Sequence, residues 1–113
     1  MRWRLFLDDV RYPPSSTIGD YDWRLARNFD DAFWMLRTYG MPQAMSLDHD
    51  LGLNSLTGMD FLKTVVAYLI ENPDQLAADF TLEVHSANPV GAENMRSYWQ
   101  CYLDNEAPPR IGR

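Results

Sequence analysis

Residues 43–52 read QAMSLDHDLG, a short apolar run followed by two carboxylates and an imidazole at Asp48, His49 and Asp50. The apolar part, 43–47, predicts a buried β-strand. A turn needs at most one polar residue of this kind. Three in succession therefore raise the question of whether the strand ends in a turn or in a functional site.

Working outward from this stretch, strand and helix patterns alternate along the chain. Apolar runs predict strands over residues 3–7, 22–27, 43–47 and 79–85. Apolar residues at helical spacing predict three helices, which begin after the N-cap candidates Asn28, Thr57 and Asn88. Residues 10–22 are rich in Pro, Ser, Gly and Asp and predict a loop, and the tail from 105 is predicted to be irregular. Such alternation is typical of an α/β domain with a mostly parallel sheet covered on both faces.

Composition limits the classes of function. The 113 residues predict a single domain over 1–113, and a net charge of −6 opposes general DNA binding or binding to an anionic membrane. The basic residues are arginines except for Lys63. The planar guanidinium of arginine suits bidentate contacts to phosphate. A single cysteine, Cys101, excludes an intrachain disulfide. No apolar stretch approaches 18 residues, and from the acidic N-terminal segment MRWRLFLDD we expect no signal peptide. We expect a cytoplasmic protein.

The unusual polar residues follow the predicted strands. Ligands of open parallel sheets bind outside the carboxyl ends of the strands. The residues at those ends are Asp8 and Asp9 after the first strand, Asp48, His49 and Asp50 after the third, and His85 and Ser86 after the fourth. Both histidines of the chain are among them, so the sequence predicts a site at this edge.

The carboxylates of that edge predict a cation site. Two carboxylates about 4 Å apart repel by about 4 kcal/mol at an effective dielectric constant near 20, so either one is protonated or a cation binds. Asp8, Asp9 and Asp48 offer the carboxylates that Mg²⁺ prefers, with Asp50 as a further candidate ligand. The alternative is that Asp8 and Asp9 only begin a turn and that Asp50 is solvated.

The histidines and the polar residues near them have alternative roles. His49 and His85 could transfer protons at neutral pH, support loops structurally, or bind a transition metal, although no His/Cys spacing supports a zinc site. Ser86 and the helix start at Asn88 would present N–H groups to an anion. Arg11 could reach a phosphate or remain a solvated surface charge. Asn88 could also be only a helix cap.

Three of these features resemble the receiver domain of bacterial response regulators: the acidic pair, Asp48 followed by TGMD at 57–60, and SA at 86–87. The resemblance implies Mg²⁺ at Asp8 and Asp9, a phosphoacceptor at Asp48 and phosphoryl contact by Ser86. The receiver lysine after a fifth strand has no counterpart, since Lys63 lies within a helix. The first receiver helix is replaced by the loop, and the fifth strand has no room.

Four motifs together resemble a divergent receiver offshoot, the cyclic-phosphate-processing receiver-like family, over about residues 5–95. They are LFLDDVRYPP, SLDHDLG, TGMD and HSANPVGAENM. The resemblance implies a truncated three-layer, flavodoxin-like fold with about four mainly parallel strands in the order 2-1-3-4, in which residues 22–27 could also pair antiparallel or form no strand. It also implies a role in processing 2′,3′-cyclic phosphate ends of RNA in bacterial or phage RNA repair.

The leading hypothesis is therefore a phosphoesterase for a cyclic phosphate on a small molecule or an RNA end. It assigns catalysis to His49, His85 and Asp48, a divalent metal, expected to be Mg²⁺, to Asp8, Asp9, Asp48 and Asp50, and phosphate binding to Arg11, Ser86, Asn88 and Asn94. The second hypothesis is a degenerate signalling receiver that is phosphorylated on Asp48. The third is a binding or inhibitory module with a protein partner and no catalysis.

Overall fold

The computed structural model describes residues 3–13 and 22–107, in which four parallel strands form one sheet in the order β2-β1-β3-β4. The strands are β1 (Trp3–Leu7), β2 (Asp22–Ala26), β3 (Ala44–Leu47) and β4 (Thr81–Val84). All three neighbouring pairs are parallel, including β1 with β2. The predicted receiver-like α/β fold and its strand order are confirmed.

Three helices follow the strands and begin at the predicted caps. They are α1 (Phe29–Tyr39), α2 (Gly58–Glu71) and α3 (Pro89–Asn105), with one turn of 3₁₀-helix at Pro73–Gln75. The side chains of Asn28 and Asn88 accept backbone N–H groups of the first helical turns, at 2.8 and 3.0 Å. Thr57 and Asp60 form a reciprocal capping box at the start of α2. None of the described helices is long and apolar enough to cross a membrane.

The hydrophobic core lies on one face of the sheet. Alternate residues of the central strands point into it, such as Leu5 and Leu7 from β1 and Met45 and Leu47 from β3. The helices contribute buried side chains that include Leu36, Phe61, Leu62, Val65, Leu69, Met95 and Trp99. Burial of each such side chain contributes about 1.5–3 kcal/mol to folding. The three helices pack side by side, α1 on α2 and α2 on α3, and cover this face.

The opposite face carries Phe6 and Ser46, which lie side by side on β1 and β3. Within residues 3–13 and 22–107 no helix covers this face. The described residues therefore form two of the three predicted layers, the sheet and the layer of helices on its other face. The reason is topological. The connections from β2 to β3 and from β3 to β4 both run toward the β4 edge of the sheet. Right-handed crossovers that run in the same direction place their helices on the same face of the sheet. Residues 10–13 have no regular structure, as predicted, whereas 14–21 and 108–113 lie outside the described residues.

Candidate site at the carboxyl edge of the sheet

Three of the predicted site residues continue the sheet by one residue at its carboxyl edge. The backbone N–H of Asp8 donates to Ala26 at 3.1 Å, that of Asp48 to Leu7 at 2.9 Å, and that of His85 to Leu47 at 3.0 Å. Asp8, Asp48 and His85 are therefore neighbours on adjacent strands, on the side chain positions that face away from the core. The sheet itself places their side chains together.

The first feature of this edge is an acidic cluster. Asp8, Asp9 and Asp48 each present a carboxylate oxygen, and these oxygens lie within 4.8 Å of one another. Asp8 is fully buried and Asp48 is 6% exposed. Carboxylates at this spacing suit a hard divalent cation, which accepts one or two of them directly and completes its shell with water. The donor set therefore fits a divalent metal.

Asp8 is held by hydrogen bonds within the protein. Its Oδ1 accepts the backbone N–H groups of Val10 and Arg11, both at 2.9 Å, and its Oδ2 accepts Nε2–H of His85 at 2.9 Å. The Arg11 guanidinium lies 3.6 Å from Oδ2. Burial raises the pKa of Asp8, but these donors outweigh it and hold the pKa below its ordinary value. Asp8 is therefore a carboxylate that the protein keeps ionised.

Asp48 differs, because no donor among the described residues reaches its carboxylate. Its backbone is fixed on both sides, by Leu7 and by the start of α2, where Gly58 donates to the carbonyl of His49 at 2.8 Å. A Cβ at residue 58 would lie 1.8 Å from the Asp48 carbonyl oxygen, so only glycine fits there. The side chain lines an open cleft, where water or a cation can reach the carboxylate. Its position beside Asp8 and Asp9 suits cation binding.

His85 has both ring nitrogens in hydrogen bonds. Nε2 contacts Asp8, and Nδ1 lies 2.7 Å from Oγ of Ser46. The imidazole also stacks on Phe6, with ring centroids 4.4 Å apart and an interplanar angle of 7°. The structure thus holds His85 against Asp8 on the face of the sheet opposite the three helices.

His49 lies on the other side of the cluster and is turned toward α3. Its Nδ1 bonds Asp50 Oδ1 at 2.8 Å, and its ring packs against Gly91, where a Cβ would come within 2.6 Å of it. The hydrogen bond from His49 lowers the pKa of Asp50, which is 66% exposed. Neither histidine lines the open cleft at this edge. Each reaches the site through a carboxylate, His85 through Asp8 and His49 through Asp50.

An open cleft of about 660 Å³ lies over the cluster. The predicted residues that line it are Asp9, Arg11, Asp48, Asp50 and Ser86. Arg11 also donates to the carbonyl of His85 at 2.9 Å, and Ser86 Oγ accepts the N–H of Asn88 at 3.0 Å. Asn88 caps α3, and Asn94 is exposed further along that helix, so neither of these two residues lines the cleft.

The structure adds residues that the sequence analysis did not assign to the site. Ser46 forms a hydrogen bond with His85. Gly58 lets the start of α2 lie against the backbone of Asp48, and Gly91 lets the start of α3 lie against the ring of His49. Arg27 donates to the carbonyls of Asp8 and Arg11, at 3.3 and 2.9 Å, and its guanidinium lies over the ring of Tyr12. Of these residues, only the two glycines had a signal in the sequence, because they lie inside the motifs TGMD and HSANPVGAENM.

The parallel 2-1-3-4 sheet with acidic residues at its carboxyl edge defines a receiver-like domain. The family model of the cyclic-phosphate processing receiver domain matches residues 3–100, so the chain belongs to that family. No curated protein and no solved structure matches the chain significantly. The recognition made from the motifs is confirmed.

Proposed function

We propose that the protein is a phosphoesterase that opens cyclic phosphates, with 2′,3′-cyclic phosphate ends of RNA as the substrate. The observation that carries the proposal is the Asp48 carboxylate, which no described donor reaches, beside Asp8 and Asp9 in a cleft that also presents Arg11 and Ser86. The cleft thus combines carboxylates that can bind a cation with Arg11 and Ser86, which can bind an anion. This combination suits a metal-assisted reaction on a phosphate. Family membership supports the same class of substrate.

Asp9 and Asp48 would hold the cation, for which Mg²⁺ is the proposed identity, and Asp8 would complete the site. A divalent ion bound there would polarise a phosphoryl oxygen. Since Asp8 already accepts three hydrogen bonds, Asp48 and Asp9 have more free lone pairs for direct ligation. Asp50 is the further ligand predicted from sequence, and its carboxylate is engaged by His49 instead.

Arg11 and Ser86 would bind the phosphate from the rim. The guanidinium of Arg11 is about half exposed and is oriented by its hydrogen bond to the His85 carbonyl and its ion pair with the Asp8 carboxylate. It can therefore supply the positive charge that the receiver lysine supplies elsewhere, since Lys63 is an exposed residue in the middle of α2. Arginine suits this role because its planar fork matches phosphate oxygens.

Opening the ring requires two proton transfers. A water oxygen attacks phosphorus, the bond from phosphorus to one ribose oxygen breaks, a base takes a proton from the water and the released ribose oxygen gains one. We assign these transfers to the two histidine–carboxylate pairs, His49 with Asp50 and His85 with Asp8. Asp50 lines the cleft, so the pair that contains it is better placed to accept the proton of water.

The test is incubation with an RNA that ends in a 2′,3′-cyclic phosphate, with Mg²⁺ or with EDTA, followed by identification of the end formed. We expect a 2′- or 3′-phosphomonoester that depends on Mg²⁺ and on Asp48, with Asp48→Asn as the inactive comparison. An unchanged cyclic end would contradict the proposal. A stable acyl phosphate on Asp48 after exposure to a small phosphodonor would favour the signalling alternative.

A further inference from the structure

Exposed apolar side chains gather at the edge of the sheet that carries the cleft. Within residues 3–13 and 22–107, seven large apolar or aromatic side chains are exposed. Five of them lie in the segments that follow β1, β3 and β4, and together they form an apolar rim: Val10, Tyr12, Leu53, Leu56 and Val90. Val10 and Leu53 line the cleft itself. Single exposed apolar side chains are normal, but a group of them around one cleft indicates contact with a ligand or partner.

Tyr12 is the aromatic member of the apolar rim, and a cation already covers one face of its ring. The residue is 76% exposed, and its Cα is one peptide unit, about 3.8 Å, from that of Arg11. The guanidinium carbon of Arg27 lies 4.7 Å from the ring centroid. Arg27 in turn donates to the backbone carbonyls of Asp8 and Arg11. The cation–π contact therefore fixes the ring relative to the site, because its support is bound to the site's own backbone.

Arg27 also gives this part of the edge a positive charge. No carboxylate of the described residues forms an ion pair with Arg27, whereas Arg11 lies 3.6 Å from an oxygen of Asp8. An RNA end offers a flat base that can stack on Tyr12 and a phosphodiester that can contact the Arg27 guanidinium. Apolar side chains, an aromatic ring and an arginine beside a phosphate site together suit such a ligand.

We propose that Tyr12 binds the substrate by stacking: the base of the nucleotide that carries the cyclic phosphate lies against the exposed face of its ring. The inference rests on the proposed function, since it takes the phosphate to lie in the cleft beside Arg11. Aromatic side chains stack on every base, because each base has a π-face. The site therefore accepts nucleotides with any base and discriminates against cyclic phosphates that have none.

The test is equilibrium binding of two short RNAs that end in a 3′-phosphate, measured by fluorescence anisotropy in Mg²⁺. One of them lacks the base of its last nucleotide, and neither has a cyclic phosphate to open, so binding is measured without turnover. We expect the wild type to bind the complete RNA about 5- to 150-fold more tightly than the abasic one, the usual effect of one stacked base. Tyr12→Ala should remove most of this difference, and Tyr12→Phe should keep it.

Trp34→Ala is the matched control, because Trp34 is an exposed aromatic residue on α1, outside the apolar rim. It should bind the two RNAs as the wild type does. Equal affinity of the wild type for both RNAs, or a difference that persists in Tyr12→Ala, would overturn the proposal. Absence of any RNA binding would also overturn it, and would favour a protein partner at the apolar rim.

Hydrolysis of two small substrates separates this inference from the proposed function. They are a nucleoside 2′,3′-cyclic phosphate and glycerol 1,2-cyclic phosphate, which has no base. Equal kcat/KM for the two would support the function and overturn the stacking. Hydrolysis of neither, with Tyr12-dependent preference for the complete RNA in the binding assay, would contradict the function and support the stacking.

Discussion

The ends of β1 and β3 lie side by side, and each holds a buried carboxylate in different surroundings. At the end of β1, Asp8 accepts two backbone N–H groups and the Nε2–H of His85. At the end of β3, Asp48 has an equally fixed backbone, but no donor among the described residues reaches its carboxylate. The protein thus satisfies one acidic side chain internally and leaves its neighbour to be satisfied from the cleft.

This difference separates support from reactivity within one cluster. A carboxylate with several donors is fixed in position and ionised, and it shapes the field around its neighbours. A carboxylate without donors gains most from a cation or a reacting phosphorus. By this comparison the end of β1 is the support of the site, and the end of β3 is the part that contacts what binds.

The largest expected effect concerns the two histidines, one on each side of the comparison. We expect His49→Gln and His85→Gln each to lower turnover of a cyclic phosphate by about 10²- to 10⁴-fold, the usual contribution of a positioned acid or base. The wild-type rate should follow a bell-shaped pH curve whose two limbs belong to the pair of groups, and each variant should lose one limb. Steady-state kinetics between pH 5 and 9 measure both effects.

Thermal unfolding of the same variants distinguishes the two ends. His85→Gln should also lower stability, because glutamine cannot serve both Ser46 and Asp8 with the geometry of the ring. His49→Gln should change stability little, because its partner Asp50 is largely exposed and such pairs contribute about 0–1 kcal/mol. A flat pH profile with both variants active would remove the histidines from catalysis.

The second prediction compares the carboxylates directly in the absence of metal. Asp8→Asn should lower the free energy of unfolding by about 1.5–3 kcal/mol, because it removes a charged hydrogen-bond acceptor. The new amide group can also place an N–H donor against the N–H of His85. Asp48→Asn should leave stability unchanged or higher, because it relieves repulsion and removes no described hydrogen bond. Urea denaturation with EDTA measures both. An equal loss in the two variants would contradict the comparison.

The smallest expected effect is the dependence of stability on acid. The pKa of Asp8 is lower in the folded protein than its ordinary value, so its contribution to stability is fully present above about pH 4. It should be lost as the pH falls through the unfolded and then the folded value. Urea midpoints between pH 6 and pH 3 should fall less steeply for Asp8→Asn than for the wild type. Identical slopes would show that Asp8 is not specially held.

The strands and the helix starts could be predicted from the sequence, because they depend on local signals such as apolar runs and the caps at Asn28, Thr57 and Asn88. The strand order is not a local property, and its prediction came from the resemblance to the receiver-like family. The sequence also brought Asp8, Asp9 and Asp48 to one edge, because parallel strands end together. The orientation of His49 could not be predicted in this way. It follows Asp48 by one residue, and successive side chains of an extended segment point in opposite directions, so it faces α3 instead of the cleft.

Other details depend on contacts between distant parts of the chain. Ser46 is 39 residues from His85 and reads in the sequence as one more small residue of a strand. Asn94 belongs to the HSANPVGAENM motif, but the buried stripe of α3 passes through Ala92 and Met95, which leaves Asn94 exposed. Helical spacing could have shown this, because positions two apart do not share a face.

The extension of the sheet ladder through Asp8, Asp48 and His85 has a consequence for the cost of binding. These side chains are attached to backbone that is already ordered as part of the sheet, so the conformational entropy of this half of the site is lost when the protein folds. Binding of a ligand there does not require these side chains' backbone to be ordered again, so less of the free energy of the contacts is offset by lost entropy. Residues 52–55 also line the cleft and belong to the loop between β3 and α2, where the exposed Leu53 lies between positive φ angles at Gly52 and Asn54. Preorganisation is therefore built into the side of the cleft that the sheet forms, and it is absent from the loop, which has no ladder of backbone hydrogen bonds.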